Sequence, residues 1–259
     1  MTATVVMSEM SWVEYSERIA VPDTICIVPV GAIEQHGPHM AMNTDIVIPT
    51  EIALEVARRI SAIVAPTITY GYKSIQRSGG GNHFCGTTSL DGNTIILLVR
   101  DILRELARHG ARRVVLLNGH FENSYFLLEG ADLAIRDLAA INIGNFEVLT
   151  LSYWDFIVGD TLSKVFPDGF QGWAIEHAGV LETSLMLHLC PKFVNMSLAP
   201  AQSRTIFPPY DVLPPAPGLS PPSGCLLSPV QASSESGQLL FESVVSVIVS
   251  ALWQKTKQQ

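Results

Sequence analysis

The chain has 259 residues, 47% of them apolar, enough for a sizeable buried core. Sixteen Lys and Arg against 24 Asp and Glu give a net charge of -8 with no basic cluster, which argues against nucleic acid as a partner. Residues 1–10 lack the positive charge and long apolar run of a secretory signal. The longest apolar stretches, around Ile25 to Ile33 and Val244 to Leu252, fall short of the roughly 20 residues of a membrane span.

Four cysteines, Cys26, Cys85, Cys190 and Cys225, are far apart in sequence and read as small hydrophobes in a reducing compartment. One cytoplasmic domain spanning 1–259, not bound to a membrane, is expected.

In chain order, Thr24 to Val30 is apolar and β-branched between Pro22-Asp23 and Gly31, the pattern of a buried strand. Ile48, Ile52, Val56 and Ile60 then recur at helical spacing across Asp45 to Ile60. A short apolar run, Ala62 to Ile68, leads into a glycine-rich segment, Ser78 to Thr88. It lacks the lysine and hydroxyl pair of a phosphate loop, so a backbone approach to a small planar substrate, with Ser78 offering a hydroxyl, fits better.

Ser89 or Asp91 is placed to cap a helix whose apolar stripe runs from Ile95 to Leu106 and which Gly110 ends. Arg113 to His120 repeats the strand theme and precedes a helix from about Asn123 to Ala139. Val148 to Asp155 is a third strand, and Ala178 to Cys190 a helix closed by Pro191. This alternation predicts an α/β domain with a mostly parallel sheet, whose ligands bind beyond the carboxyl ends of the strands.

Nine of the 16 prolines lie between Pro200 and Pro229. Proline removes an amide donor, so 199–229 is predicted to be an extended arm lying on its own body or on a neighbouring subunit, with a disordered linker as the alternative. A last helix is expected over Gln238 to Lys255.

The chemistry collects at the strand ends. Glu34 and His36 follow the first strand, His120 and Glu122 follow the second in mirrored order, and Asp45 lies beyond a Gly-Pro turn that folds it back over the first pair. Five nitrogen and oxygen donors without a thiolate point to Zn²⁺ or Mn²⁺. Three carboxylates overcharge one divalent ion, so a dinuclear site with Asp45 bridging and a hydroxide between the ions is expected. His39 and His83 are further imidazoles, better read as core-bonded or exposed rings. Phe170 to Glu182 adds Trp173, the carboxylate of Glu176, and His177, a general acid or base, with Glu182 to orient it. Trp154 and Trp173 are expected to wall a small pocket.

Val30-Gly-Ala-Ile-Glu34-Gln-His36-Gly-Pro-His39 with Asp45, Asn118-Gly-His120-Phe-Glu122-Asn, and Glu176-His177-Ala-Gly with Glu182-Thr-Ser resemble the motifs of the creatininase family of metal-dependent amidohydrolases. Tyr70-Gly-Tyr-Lys-Ser, Gly86-Thr-Thr-Ser-Leu-Asp-Gly, Ser152-Tyr-Trp154-Asp-Phe and Phe207-Pro-Pro-Tyr-Asp extend the resemblance over almost the whole chain.

The resemblance implies a single three-layer α/β/α domain, a homohexamer, and reversible hydrolysis of creatinine to creatine. It implies two metal ions per subunit, one held by Glu34, Asp45 and His120 and the other by His36, Asp45 and Glu122. Substrate contacts are implied for Ser78, Phe121, Trp173, Ala174 and His177, with Trp154 at the pocket mouth. Two positions depart from the pattern, which has tyrosine where this chain has Phe121 and aspartate where it has Ala174. Loss of a hydroxyl and a carboxylate leaves two alternatives, a family hydrolase of another small amide or lactam, such as a formamide of an opened pyrimidine, and a metal-binding protein without turnover.

Overall fold

The computed structural model describes residues 4–216 and 218–257, without the side chains of 255–257. The ends of the expected 1–259 domain and Pro217 of the arm lie outside the described residues. The first α-helix, α1 (Trp12–Ile19), has no counterpart among the expected helices. It starts in a capping box, in which Ser11 accepts from the Glu14 amide while the Glu14 carboxylate accepts from the Ser11 amide.

β1 (Ile25–Val30) and α2 (Thr44–Arg59) follow as expected, and β2 (Ala62–Val64) is the ordered part of the second apolar run. α3 (Gln76–Gly79) is a single helical turn where the glycine-rich segment was expected to be loop, and Gly80 stops it at φ +77°. Next come α4 (Gly92–Arg108), β3 (Arg113–Asn118), α5 (Ser124–Ala140) and β4 (Glu147–Ser152). α6 (Gly159–Val165), another unexpected helix, precedes α7 (Val180–Leu189) and α8 (Ser234–Lys257).

The sheet is four-stranded and wholly parallel, in the order β2-β1-β3-β4. One face carries a core from α2, α7 and α8, including Ile52, Leu185 and Val244. The other packs on α4 and α5 through Ile95, Val99, Leu103 and Leu127. Three layers result, as expected.

α8 begins at Ser234 rather than Gln238, because the Ser233 hydroxyl accepts from the Ser236 amide at 3.1 Å and turns the Ser-Glu-Ser-Gly run into a first turn. Over Ser234–Gln254 it is, by length and composition, long and apolar enough to cross a membrane, which corrects the sequence estimate. Its apolar stripe, Leu240, Val244, Val245, Ile248 and Leu252, is buried against the protein core.

Among the described residues from Ala199 to Ala232 there is no regular element. The arm packs on its own body where Cys225 and Leu226 are fully buried, where the Leu226 amide donates to His177 O at 3.2 Å, and where Gln76 pairs with Ala216.

β1 and β3 pair in register, Val30 opposite Asn118, so residues 31–36 and 119–122 leave the sheet side by side. Gly31 and Gly119 are the first residues beyond those ends. A Cβ on Gly31 would sit 2.3 Å from the Asp45 carbonyl oxygen, and one on Gly119 2.5 Å from Pro49 Cγ. Only glycine lets the first turns of α2 close onto the strand ends, which is what brings Asp45 to the site.

Candidate metal centre and substrate pocket

The structure brings the five expected donors together. Glu34, His36, Asp45, His120 and Glu122 are all buried, none more than 8% exposed. Asp45 divides its carboxylate, Oδ1 lying 3.1 Å from His36 Nε2 and Oδ2 3.0 Å from His120 Nδ1. His120 Nδ1 is also 3.0 Å from Glu34 Oε2. The Glu34, Asp45 and His120 donors lie within 4.8 Å of one another, the set implied for one ion.

A second group of donors within 4.8 Å of one another is His36, Asp45 and Glu182, the Glu182 Oε2 lying 3.5 Å from His36 Nε2. Glu122 is held elsewhere, with Oε1 accepting from Ser78 Oγ at 2.5 Å and from the Ile75 amide at 3.0 Å, and Oε2 3.3 Å from His120 Nε2. Glu182, expected to orient His177, instead accepts from the Ala178 amide at 2.7 Å and faces His36. No local pattern marks it, because its role depends on how the start of α7 packs beside β1.

Glu34 Oε1 is buried without a hydrogen-bond partner, and His36 Nε2 faces the Asp45 and Glu182 carboxylates without hydrogen-bond alignment. Buried polar atoms of native proteins are normally satisfied, so lone pairs left open inside a ring of carboxylates and imidazoles fit divalent cations. Burial pushes the Glu34 carboxyl up to about 7. Burial opposes charge on His36, but Asp45 and Glu182 outweigh it and raise the ring well above its ordinary value. The cluster attracts positive charge strongly.

A cavity opens on these donors. Ser78, Phe121, Trp154, Trp173, Glu176 and His177 line it. Phe121 stacks on Trp154, ring centroids 5.9 Å apart. Ser78 reaches the cavity with its hydroxyl already committed to Glu122, so it positions that carboxylate rather than offering a free donor. His177 is driven well below its ordinary pKa by burial and then by the neighbouring His36 ring, centroids 4.4 Å away.

Glu176 caps α7, accepting from the Leu181 amide at 2.5 Å, and burial lifts its carboxyl to about 8. Ala174 is not on this cavity. Residues 173–175 form a 3-10 turn, in which successive side chains point about 120° apart, so Trp173 faces in while Ala174 is exposed beside a second cavity with Arg77 and Arg204. His39 is core-bonded, its Nε2 2.9 Å from Thr183 Oγ1, and His83 is exposed.

A parallel α/β domain with buried carboxylate and imidazole donors at its strand ends, opening on an aromatic-walled cavity, defines a metal-dependent hydrolase. The chain belongs to the creatininase family, whose model, described as creatinine amidohydrolase, matches residues 8–252. It is 51% identical over 253 residues to the creatinine amidohydrolase of Pseudomonas putida, covering 97% of each chain. Among solved structures it is similar to a manganese creatininase (TM-score 0.96, 51% identity, 98% of this chain and 99% of that one). It also matches a glutamate-to-glutamine creatininase variant complexed with creatine (TM-score 0.96, 50% identity, 98% and 99%).

Proposed function

We propose that the protein is a metal-dependent cyclic amide hydrolase that converts creatinine and water reversibly to creatine. The observation that carries this reading is the division of the Asp45 carboxylate between His36 and His120 at the floor of a cavity that also holds His177. The likeness to the creatinine amidohydrolase of Pseudomonas putida and to the creatine-complexed structure supports the choice of substrate.

Glu34, Asp45 and His120 would hold one ion and His36, Asp45 and Glu182 the other, with Zn²⁺ and Mn²⁺ best suited to the donors. Such ions, when bound, lower the pKa of water and polarise a carbonyl oxygen. Trp154, Trp173 and Phe121 clasp the flat ring and exclude solvent. Ser78 and the Ile75 amide fix Glu122, which takes a proton from the attacking water. His177 receives the proton that Glu122 removed and hands it to the ring nitrogen as the C–N bond breaks, and the second water proton leaves the new carboxylic acid for the same group. The carbonyl carbon ends as a carboxylate, and both water protons end on the guanidinium group.

The test is creatine formation from creatinine by the purified protein before chelation, after it, and after add-back of Mn²⁺ or Zn²⁺. Activity lost with the chelator and restored by metal is expected. Bound metal with intact creatinine would direct attention to Phe121 and to other small cyclic amides, and bound metal with no amide hydrolysed would leave a binding protein.

The same reading places the protein in the cytoplasm as a homohexamer. Four free cysteines suit a reducing compartment, and the exposed Tyr125 and Leu128 of α5 with Ile206 and Leu213 of the arm suit an assembly surface. Light scattering giving the mass of one chain would remove the hexamer.

A further inference from the structure

Glu122 owes its orientation to a single helical turn. Its Oε1 accepts from Ser78 Oγ at 2.5 Å and from the Ile75 amide at 3.0 Å, and both donors belong to α3 and the residue that opens it. Oε2 is then the oxygen left facing His120 Nε2, 3.3 Å away. A turn of four residues is too short to hold itself, because helix formation has a costly nucleus. Gly80 and Gly81 follow at once, at φ +77° and +108°, and give it no stiff continuation.

What holds the turn comes from far along the chain. The buried Gln76 side chain donates from Nε2 to Ala216 O at 3.1 Å and to Ser220 Oγ at 3.3 Å, and its Oε1 accepts from the Ala216 amide at 3.2 Å. Donor and acceptor of one backbone residue are both matched, so the amide has one orientation. Ser220 is buried too. Arg77, the next residue of the turn, adds an ion pair with Asp211 at 3.5 Å, but both side chains are exposed and the pair holds little. Pro214 and Pro215 precede Ala216, and Pro221 and Pro222 follow Ser220. An arm so built loses less chain entropy on lying here than a flexible loop would.

We propose that Gln76 is a positioning residue for Glu122: it moors α3 to the proline-rich arm, and the moored turn keeps Ser78 Oγ and the Ile75 N–H on one oxygen of the Glu122 carboxylate. With two donors on Oε1, the carboxylate cannot rotate without breaking both bonds. The arm thereby acts on the reaction without touching the substrate. The role rests on the proposed reaction, in which Glu122 takes the proton of the attacking water. An error of about an ångström in such a group costs about 10²-fold in rate.

Amide hydrogen exchange of the metal-loaded protein reads the mooring without reference to activity. Gln76→Met keeps the volume but can neither donate nor accept through an amide. Exchange over 75–79 should rise about tenfold or more in this variant, with 113–118 of β3 unchanged. A rise throughout the protein would mean a general loss of stability and would overturn the proposal, as would unchanged exchange over 75–79.

Kinetics supply the second reading. Gln76→Met should lower kcat about 10–10²-fold with KM changed less than about threefold. Wild-type kcat in folded, metal-loaded Gln76→Met would sink the idea, since a side chain that only filled space would be replaced by methionine without loss. Ser220→Ala approaches the same contact from the arm and should lower kcat about threefold alone, but not at all in the Gln76→Met background, because the bond it removes is already gone. Additive losses would show that the two residues act separately. Should Gln76→Met fail to fold, Ser220→Ala carries the test, with faster exchange over 75–79 expected and wild-type exchange there counting against the mooring. Failure of the wild-type protein to open creatinine would count against the proposed reaction alone, because exchange is read independently.

Discussion

Phe121 and Trp154 stack with ring planes 28° apart and centroids separated by 5.9 Å, forming one wall of the cavity above the metal donors. The pair is held from both sides, by the turn after β3 and by the turn after β4, so the wall exists only because those strands are neighbours. Trp154→Ala should raise KM for creatinine about tenfold or more while altering kcat less, because the stack contributes binding in ground and transition states alike. Phe121→Tyr restores a hydroxyl to a polar substrate's cavity and should lower KM about fivefold, the worth of one hydrogen bond. Steady-state kinetics on both variants decides the point.

Asp45 is common to both donor groups, so its removal cannot be confined to one ion. Asp45→Ala should leave at most one metal per chain after gel filtration, with turnover lost. Elemental analysis measures this directly. Two retained ions would show that the carboxylate does not bridge.

His177→Asn keeps the size of the side chain and removes the proton carrier. Turnover should fall about 10²–10⁴-fold with metal content near that of the wild type. Loss of metal in the same variant would instead place His177 among the ligands, a possibility its proximity to Glu34 and His36 makes concrete.

Gly31→Ala should destabilise the fold by about 2–4 kcal/mol, since the new Cβ meets backbone, not a flexible side chain, and the start of α2 must retreat. Urea denaturation reads the loss, and metal affinity should weaken with it as Asp45 is displaced.

The thiols should separate cleanly under a disulfide reagent at pH 8. Burial pushes the Cys26 and Cys225 thiols up to about 12, so almost no thiolate forms there, whereas Cys85 is exposed. Cys85 should react first in the native protein, and Cys26 and Cys225 only after unfolding. Rapid reaction of all four in the native state would contradict the burial.

The parts of this protein that were legible in its sequence are those whose cause is local. Apolar, β-branched runs ending in Glu34-Gln-His36 and in His120-Phe-Glu122 announce buried strands with polar ends, because the burial of the one and the chemistry of the other are written in consecutive residues. The capping box at Ser11 was equally local, but α1 buries only Ile19, so its apolar period is faint. The turn holding Ser78 was hidden by the glycines that follow it.

What only the tertiary structure decided are the pairings between distant segments. Glu182 facing His36, Ser78 committed to Glu122, Ala174 turned away from the cavity and Gln35 clamped among Gly79, His177 and Gly224 all depend on which loops meet above the sheet. Sequence spacing fixes the side of a strand or helix on which a residue stands. The distance between residues far apart along the chain is set by packing, and metal binding and proton placement are decided by differences of an ångström at that scale.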